Sequence, residues 1–249
     1  DDGDGKMGVM MLYWALKAVL TPVLRFFYRV RVEGLEHVPR SGPAILASNH
    51  LSFSDSIFLP LVLRRRLTFV AKAEYFDDPK SAWFFRALGQ IPVKREGGSA
   101  AQGALDAARE VLSRGELFGI YPEGTRSPDG RLHRGHTGVA RLALNCKTPV
   151  LAVAMVGTRE LQPIGQVRPR VFMPVTIRFS APMSFERYHG RADDPRVLRQ
   201  ITDEIMFELA QQSRQEYMDN YAARKAVVGA AEESRVRSTP PAEAVAAAG

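Results

Sequence analysis

The sequence predicts an α/β fold in which a mostly parallel central sheet is flanked by helices. Three observations carry that reading. Short apolar runs without polar alternation recur along the middle of the chain, as strands buried on both faces do. Stretches with helical spacing separate them, the pattern of a sheet covered on both sides. An amphipathic segment precedes this alternation, and a tail poor in large apolar groups follows it. At 249 residues, 45% hydrophobic and 24% charged, the chain has enough apolar material for one full core.

Asp1 to Lys6 stand before Met7, which reads as the natural start, and are treated as a leader outside the fold. Residues 7–28 form the most apolar stretch. Lys17, Thr21, Arg25 and Arg29 recur every fourth position as a narrow polar stripe, and Met, Trp, Leu and Phe fill the remaining circumference. A membrane span needs about 20 uninterrupted apolar residues. Lys17, Pro22 and Arg25 interrupt this one, and Pro22 is expected to divide it into two short helices. The segment therefore reads as an amphipathic helical membrane anchor lying in the interface, with the alternative that it packs on the protein's own core.

The domain proper is placed at residues 29–228. Its strand-like runs are 29–32, 43–48, 67–71, 90–94, 117–121, 150–156 and 171–179. Helix-like runs are 56–64, 81–88, 99–114, 137–145 and 195 to about 228. Residues 229–249 shift to Ala, Glu, Pro and Ser and read as a disordered tail.

Lys+Arg 34 against Asp+Glu 27 leaves a net charge of +7. That balance favours an anionic partner. The cations are scattered, with no zinc-finger spacing or stacking aromatics among them, so an acidic phospholipid membrane or a phosphorylated substrate is expected and nucleic acid is not. Cys146 stands alone, which excludes a disulfide framework and points to a reducing compartment. His37, His133, His136 and His189 show no ligand spacing, and no glycine-rich phosphate loop is present, so neither a metal nor a nucleotide cofactor is predicted.

Two segments carry chemistry. Ser48-Asn49-His50-Leu51-Ser52-Phe53-Ser54-Asp55 follows the strand-like run 43–48 and sets an imidazole five residues before a carboxylate. On a regular helix that spacing points the two side chains about 140° apart. They meet only if a turn intervenes, and Ser52 and Ser54 offer turn and N-cap chemistry there. Asp55 would then reach back from a helix's first turn to hold one imidazole nitrogen and leave the other able to take a proton. The plain alternative is a His–Asp pair that ties a loop together. The second segment, Tyr121-Pro122-Glu123-Gly124-Thr125-Arg126-Ser127, is a polar turn after another apolar run. It offers Arg126 on a rigid support for bidentate phosphate recognition, or else an ordinary exposed arginine. Gly89 to Arg95 and Lys72 place further cations at strand ends, where α/β sheets build their sites. Thr148 to Ala154 reads chiefly as a core strand.

These blocks, in this order over about residues 30–180, resemble the glycerolipid acyltransferase family that includes 1-acylglycerol-3-phosphate acyltransferases. Asn49, His50 and Asp55 match its first block. Gly89 and Arg95 match its second, with Pro92 and Lys94 as departures inside it. Pro122 to Arg126 match its third without change, and Pro149 its apolar fourth. The resemblance implies that His50, oriented by Asp55, deprotonates a glycerol hydroxyl attacking an acyl thioester of coenzyme A or acyl carrier protein. Arg126 and Arg95, with Lys72, would clamp the phosphate of a lysophospholipid acceptor. Glu123 and Gly124 would shape its pocket beside Thr125 and Asn49. Lysophosphatidic acid is the acceptor expected first, with glycerol 3-phosphate, another lysophospholipid or a glycolipid as alternatives. The expected location is peripheral or monotopic, on the cytoplasmic face of the cell membrane. A non-catalytic acidic-lipid-binding protein is the competing class, and it has no need of a base paired with a carboxylate.

Overall fold

The computed structural model describes residues 2–93 and 99–223. Among them a seven-stranded sheet forms from β1 (Arg29–Glu33), β2 (Ala44–Ser48), β3 (Leu67–Lys72), β4 (Gln90–Val93), β5 (Leu117–Ile120), β7 (Val150–Val156) and β8 (Pro174–Phe179). Its strand order is β1-β8-β7-β2-β5-β3-β4, and every pairing is parallel except β7 with β8. The fold is the expected α/β sheet, mostly parallel and flanked by helices.

Continuous apolar strands make this arrangement possible, because the two faces of each strand meet different layers. In β2 every residue is buried. Ile45 and Ala47 join one core with α4 (Ser99–Ser113), α5 (Gly138–Cys146) and α7 (Pro195–Ser213). Ala44 and Leu46 join the other, with Phe58, Leu59 and Leu63 in and just after α2 (Asp55–Val62). The remaining helices are α1 (Asp2–Phe27), α3 (Pro79–Ala87) and the single turn α6 (Thr158–Leu161), and a small parallel pair joins β6 (Leu132–His133) to β9 (Tyr217–Met218).

Four expectations are corrected. First, α1 (Asp2–Phe27) runs through Pro22 unbroken instead of dividing there into two short helices. Proline removes the bond to the carbonyl four residues earlier. Here that carbonyl belongs to Ala18, and both residues lie on the exposed face, where outside donors can replace the lost N–H. Second, half the polar stripe of α1 faces the protein. Lys17 Nζ donates to Pro60 O at 3.0 Å and to Leu63 O, closing the C-terminal end of α2, and burial lowers its ammonium to about 8. Third, the helix expected to reach about residue 228 stops at Ser213, where Arg214 turns left-handed (φ 58) and its N–H caps Ala210 O. Fourth, the strand expected from Val171 starts at Pro174. The tail expected from residue 229 lies outside the described residues.

Candidate active site

The C-terminal ends of the parallel strands gather the chemistry, as sheets of this kind do. His50 follows β2, the Tyr121–Ser127 turn follows β5, Lys72 ends β3, and Gln162 follows β7 and α6.

Asp55 is the first residue of α2, fully buried, and it organises the turn before it. Its Oδ2 accepts from His50 Nδ1 at 2.9 Å, from Leu51 N at 2.7 Å and from Ser52 N at 2.8 Å. An ionised carboxylate only accepts, so the proton of the His50 pair sits on Nδ1 and the Nε2 lone pair is free for a proton. Ser54 occupies the N-cap position, but its hydroxyl donates to Gln162 Oε1 at 2.5 Å rather than capping α2, and Ser52 Oγ donates to Gln162 O at 2.9 Å.

Aromatic packing fixes the imidazole from one side. The Tyr121 ring lies 3.8 Å from the His50 ring, 11° from parallel, and Phe69 continues the stack at 5.2 Å. Tyr121 Oη pairs with Ser56 Oγ at 2.9 Å. Burial, reinforced by the Asp55 charge, raises the Tyr121 phenol well above its ordinary value, so it stays neutral.

The Pro122–Ser127 turn grips the backbone of His50 from both directions. His50 N donates to Glu123 Oε1 at 3.3 Å, and Ser127 N donates to His50 O at 2.7 Å. The second Glu123 oxygen accepts from His133 N at 2.9 Å. Gly124 adopts φ +72, and a Cβ there would stand 3.1 Å from His136, so the turn requires glycine. Gly124, Thr125 and Arg126 are partly exposed.

Three residues first read as acceptor contacts take other places. Glu123 is only 2% exposed, with both oxygens committed to backbone N–H groups, so it braces the site instead of lining it. Asn49 is fully buried: its Nδ2 donates to Met155 O and Gln215 Oε1, and its Oδ1 accepts from Met155 N. Gly89 opens β4 at the strand's other end, a sheet length away from His50, where its positive φ answers the close approach of Leu67 O. Arg95 lies outside the described residues.

The bracing side chains that sequence reasoning missed come from far along the chain. Gln215 bridges Asn49 and Gly130 O, at 2.7 Å each. His133 spans Asn220 Oδ1 and Asp129 Oδ1, at 3.0 Å each. The contacts made by Gln215 and Asn220 join residues 85 to 166 positions apart, and no local pattern announces them. Tyr121 is the exception, an aromatic residue directly beside the third block.

Burial pushes the Glu123 carboxyl from 4.5 up to about 7, against the pull of its two N–H bonds. The folded chain then keeps a proton that the unfolded chain releases, so stability from this group is full below about 4.5 and is lost as pH rises toward 7. Melting curves of wild type and Glu123→Gln between pH 4 and 8 are expected to show a steeper fall for wild type across that window. Parallel curves would show that the carboxyl stays ionised throughout.

Residues 29–156 match the family model described as Acyltransferase. A chloroplastic 1-acyl-sn-glycerol-3-phosphate acyltransferase of Arabidopsis thaliana is 35% identical over 140 residues, 56% of this chain and 39% of that protein. The chain thus spans about two fifths of the length of the curated relatives it first matches. An uncharacterized protein of Mycobacterium tuberculosis is 28% identical over 235 aligned positions, covering 76% of this chain and 63% of that one. The crystal structure of the 1-acyl-sn-glycerophosphate (LPA) acyltransferase PlsC from Thermotoga maritima superposes with a TM-score of 0.59 at 27% identity, covering 82% of this chain and 79% of that one.

Proposed function

Because the chain belongs to the Acyltransferase family, we propose that it moves a fatty acyl group from a thioester to the free hydroxyl of 1-acyl-sn-glycerol 3-phosphate, giving phosphatidic acid for phospholipid synthesis. One observation carries the reading: a buried carboxylate holds His50 Nδ1, while the turn bearing Arg126 is bonded to both backbone groups of the same histidine. A base and a phosphate-binding cation are thereby held on one rigid unit.

In this reading His50 Nε2 takes the hydroxyl proton as the oxygen attacks the thioester carbonyl, and the imidazolium is stabilised by Asp55. Collapse of the tetrahedral intermediate breaks the carbon–sulfur bond. The departing thiolate takes the proton back from Nε2, which leaves the ester, a free thiol and neutral His50. The enzyme needs no nucleophile of its own, since the acceptor brings one. Arg126 holds the acceptor phosphate in this scheme, and the sequence motifs assign Lys72 and Arg95 to the same task. Coenzyme A or acyl carrier protein bears the acyl group.

The acceptor carries one fatty chain and must be drawn from a bilayer. No helix among the described residues is long and apolar enough to cross a membrane. The outer face of α1 exposes Met11, Val19, Val23 and Phe26, and we assign it to an acidic membrane surface on the cytoplasmic side, as a peripheral anchor.

The test is thiol release from palmitoyl-coenzyme A with and without lysophosphatidic acid. Acceptor-dependent release is expected; release indifferent to the acceptor overturns the assignment. In the same assay Arg126→Ala is expected to raise the acceptor KM about 10- to 100-fold with a smaller change in kcat. A charge-assisted hydrogen bond contributes about 1.5–3 kcal/mol. An unchanged KM removes Arg126 from the phosphate.

A further inference from the structure

The polypeptide between α6 and β8 carries an exposed apolar surface that the acyl-transfer scheme does not use. Val167 is 89% exposed, Phe172 66% and Val171 52%, in a connection that also bears the exposed Arg168 and Arg170. From Leu161 to Arg178 the chain contains no Asp or Glu, and the same holds from Met7 to Val32. These two acid-free stretches meet in space. Phe172 N donates to Phe27 O at 2.8 Å, and the Phe27 and Phe172 rings lie 6.0 Å apart, so the loop extends the outer face of α1.

The loop is braced. Arg170 N donates to Leu161 O at 2.8 Å, and Gln162 Nε2 donates to Gln166 O at 3.1 Å and Val167 O at 3.0 Å. Phe172 holds a left-handed backbone (φ 61), which is rare for a bulky residue and strained. Its ring gains little burial for that strain. An aromatic group kept outward at such a cost, between arginines and beside another exposed aromatic pair, has the make-up of an interfacial lipid contact.

We propose that Pro163–Met173 is a second bilayer-contacting element, which sets Val167, Val171 and Phe172 into an acidic phospholipid interface beside α1 while Arg168 and Arg170 meet lipid phosphates. The proposal rests on the membrane reading of α1 and adds a fixed second point of contact. Two contacts define a plane of approach where one helix leaves rotation free. Gln162 roots the loop and also receives the hydroxyls of Ser52 and Ser54, so one residue ties the loop to the His50 turn. Contact by the loop then holds the base at a set depth, where the hydroxyl of a bilayer-held acceptor is found.

The test uses the full chain with Cys146→Ser as background and an environment-sensitive NBD label at Val19→Cys on α1 or at Val167→Cys on the loop. Both labels are expected to shift to the blue and brighten with phosphatidylcholine–phosphatidylglycerol vesicles, and less with phosphatidylcholine alone. A response at position 19 without one at 167 overturns the proposal and leaves the α1 anchor standing. Silence at both removes the membrane reading itself. A concentration-dependent shift at 167 without vesicles would assign the patch to a second copy of the chain and equally overturn it. Arg168→Gln with Arg170→Gln is expected to weaken vesicle sedimentation about 30-fold with an unchanged melting temperature. Each basic residue near an anionic surface contributes about 1 kcal/mol, a factor of about five. Unchanged sedimentation shows that these arginines do not meet lipid phosphates.

Discussion

Replacing His50 by alanine is expected to reduce acyl transfer by about 10³-fold or more while the protein stays folded. A positioned general base contributes about 10²–10⁴ in rate, and His50 is the imidazole that the buried Asp55 holds within 2.9 Å. The structural cost is small by comparison. The side chain is 15% exposed, and its loss removes the stacking on Tyr121, about 0.5–1.5 kcal/mol, and one hydrogen bond. Asp55 Oδ2 keeps the N–H groups of Leu51 and Ser52, so the turn retains its frame. For a chain of this size each kcal/mol moves the melting temperature by about 2–4 °C. Thiol release and a melting curve on the same preparation check both halves. Turnover within tenfold of wild type would remove His50 as the base.

Much of this site can be read locally, because its motifs sit where the strands end. The runs 43–48 and 117–121 read as strands from composition alone, and their parallel pairing as β2 and β5 sets His50 beside the Glu123 turn. The turn linking His50 to Asp55 is likewise local, since both residues and the serines between them lie within one helix start. What stayed hidden depends on distance along the chain or on solvent. Glu123, Asn49 and Arg126 look alike in a motif. Only burial separates the first two, whose polar atoms are spent on backbone groups and on Gln215, from the third, which is partly exposed. Spacing located a stripe on α1 without revealing which side of it docks. The answer came from the α2 carbonyls that Lys17 closes. The antiparallel insertion of β8 between β1 and β7 has no counterpart in its sequence, whose alternate burial suits either direction.

Asp55→Asn is expected to lower kcat by about 10²- to 10³-fold with little loss of stability, and Asp55→Ala to lose both activity and stability. The asymmetry follows from what each oxygen does. Oδ2 receives three N–H groups, while Oδ1 is buried with no hydrogen-bond partner among the described residues. An asparagine can set its amide oxygen at the first position and its NH2 at the second, so the turn, the ring orientation and the Nδ1 proton persist. The amide lacks the charge that steadies the imidazolium formed when Nε2 takes the acceptor's proton, and at a fully buried position that charge is weakly screened. Alanine goes further and strips acceptors from Leu51 N and Ser52 N. A buried group left unpaired costs about 1–3 kcal/mol, so two of them lower the melting temperature by roughly 4–24 °C. A scaffold role alone would make the asparagine variant nearly as active as wild type, because every hydrogen bond of the turn survives in it. Near-normal kcat in Asp55→Asn would therefore reduce the carboxylate to a brace. A deep fall in kcat at unchanged melting temperature assigns its charge to the proton transfer.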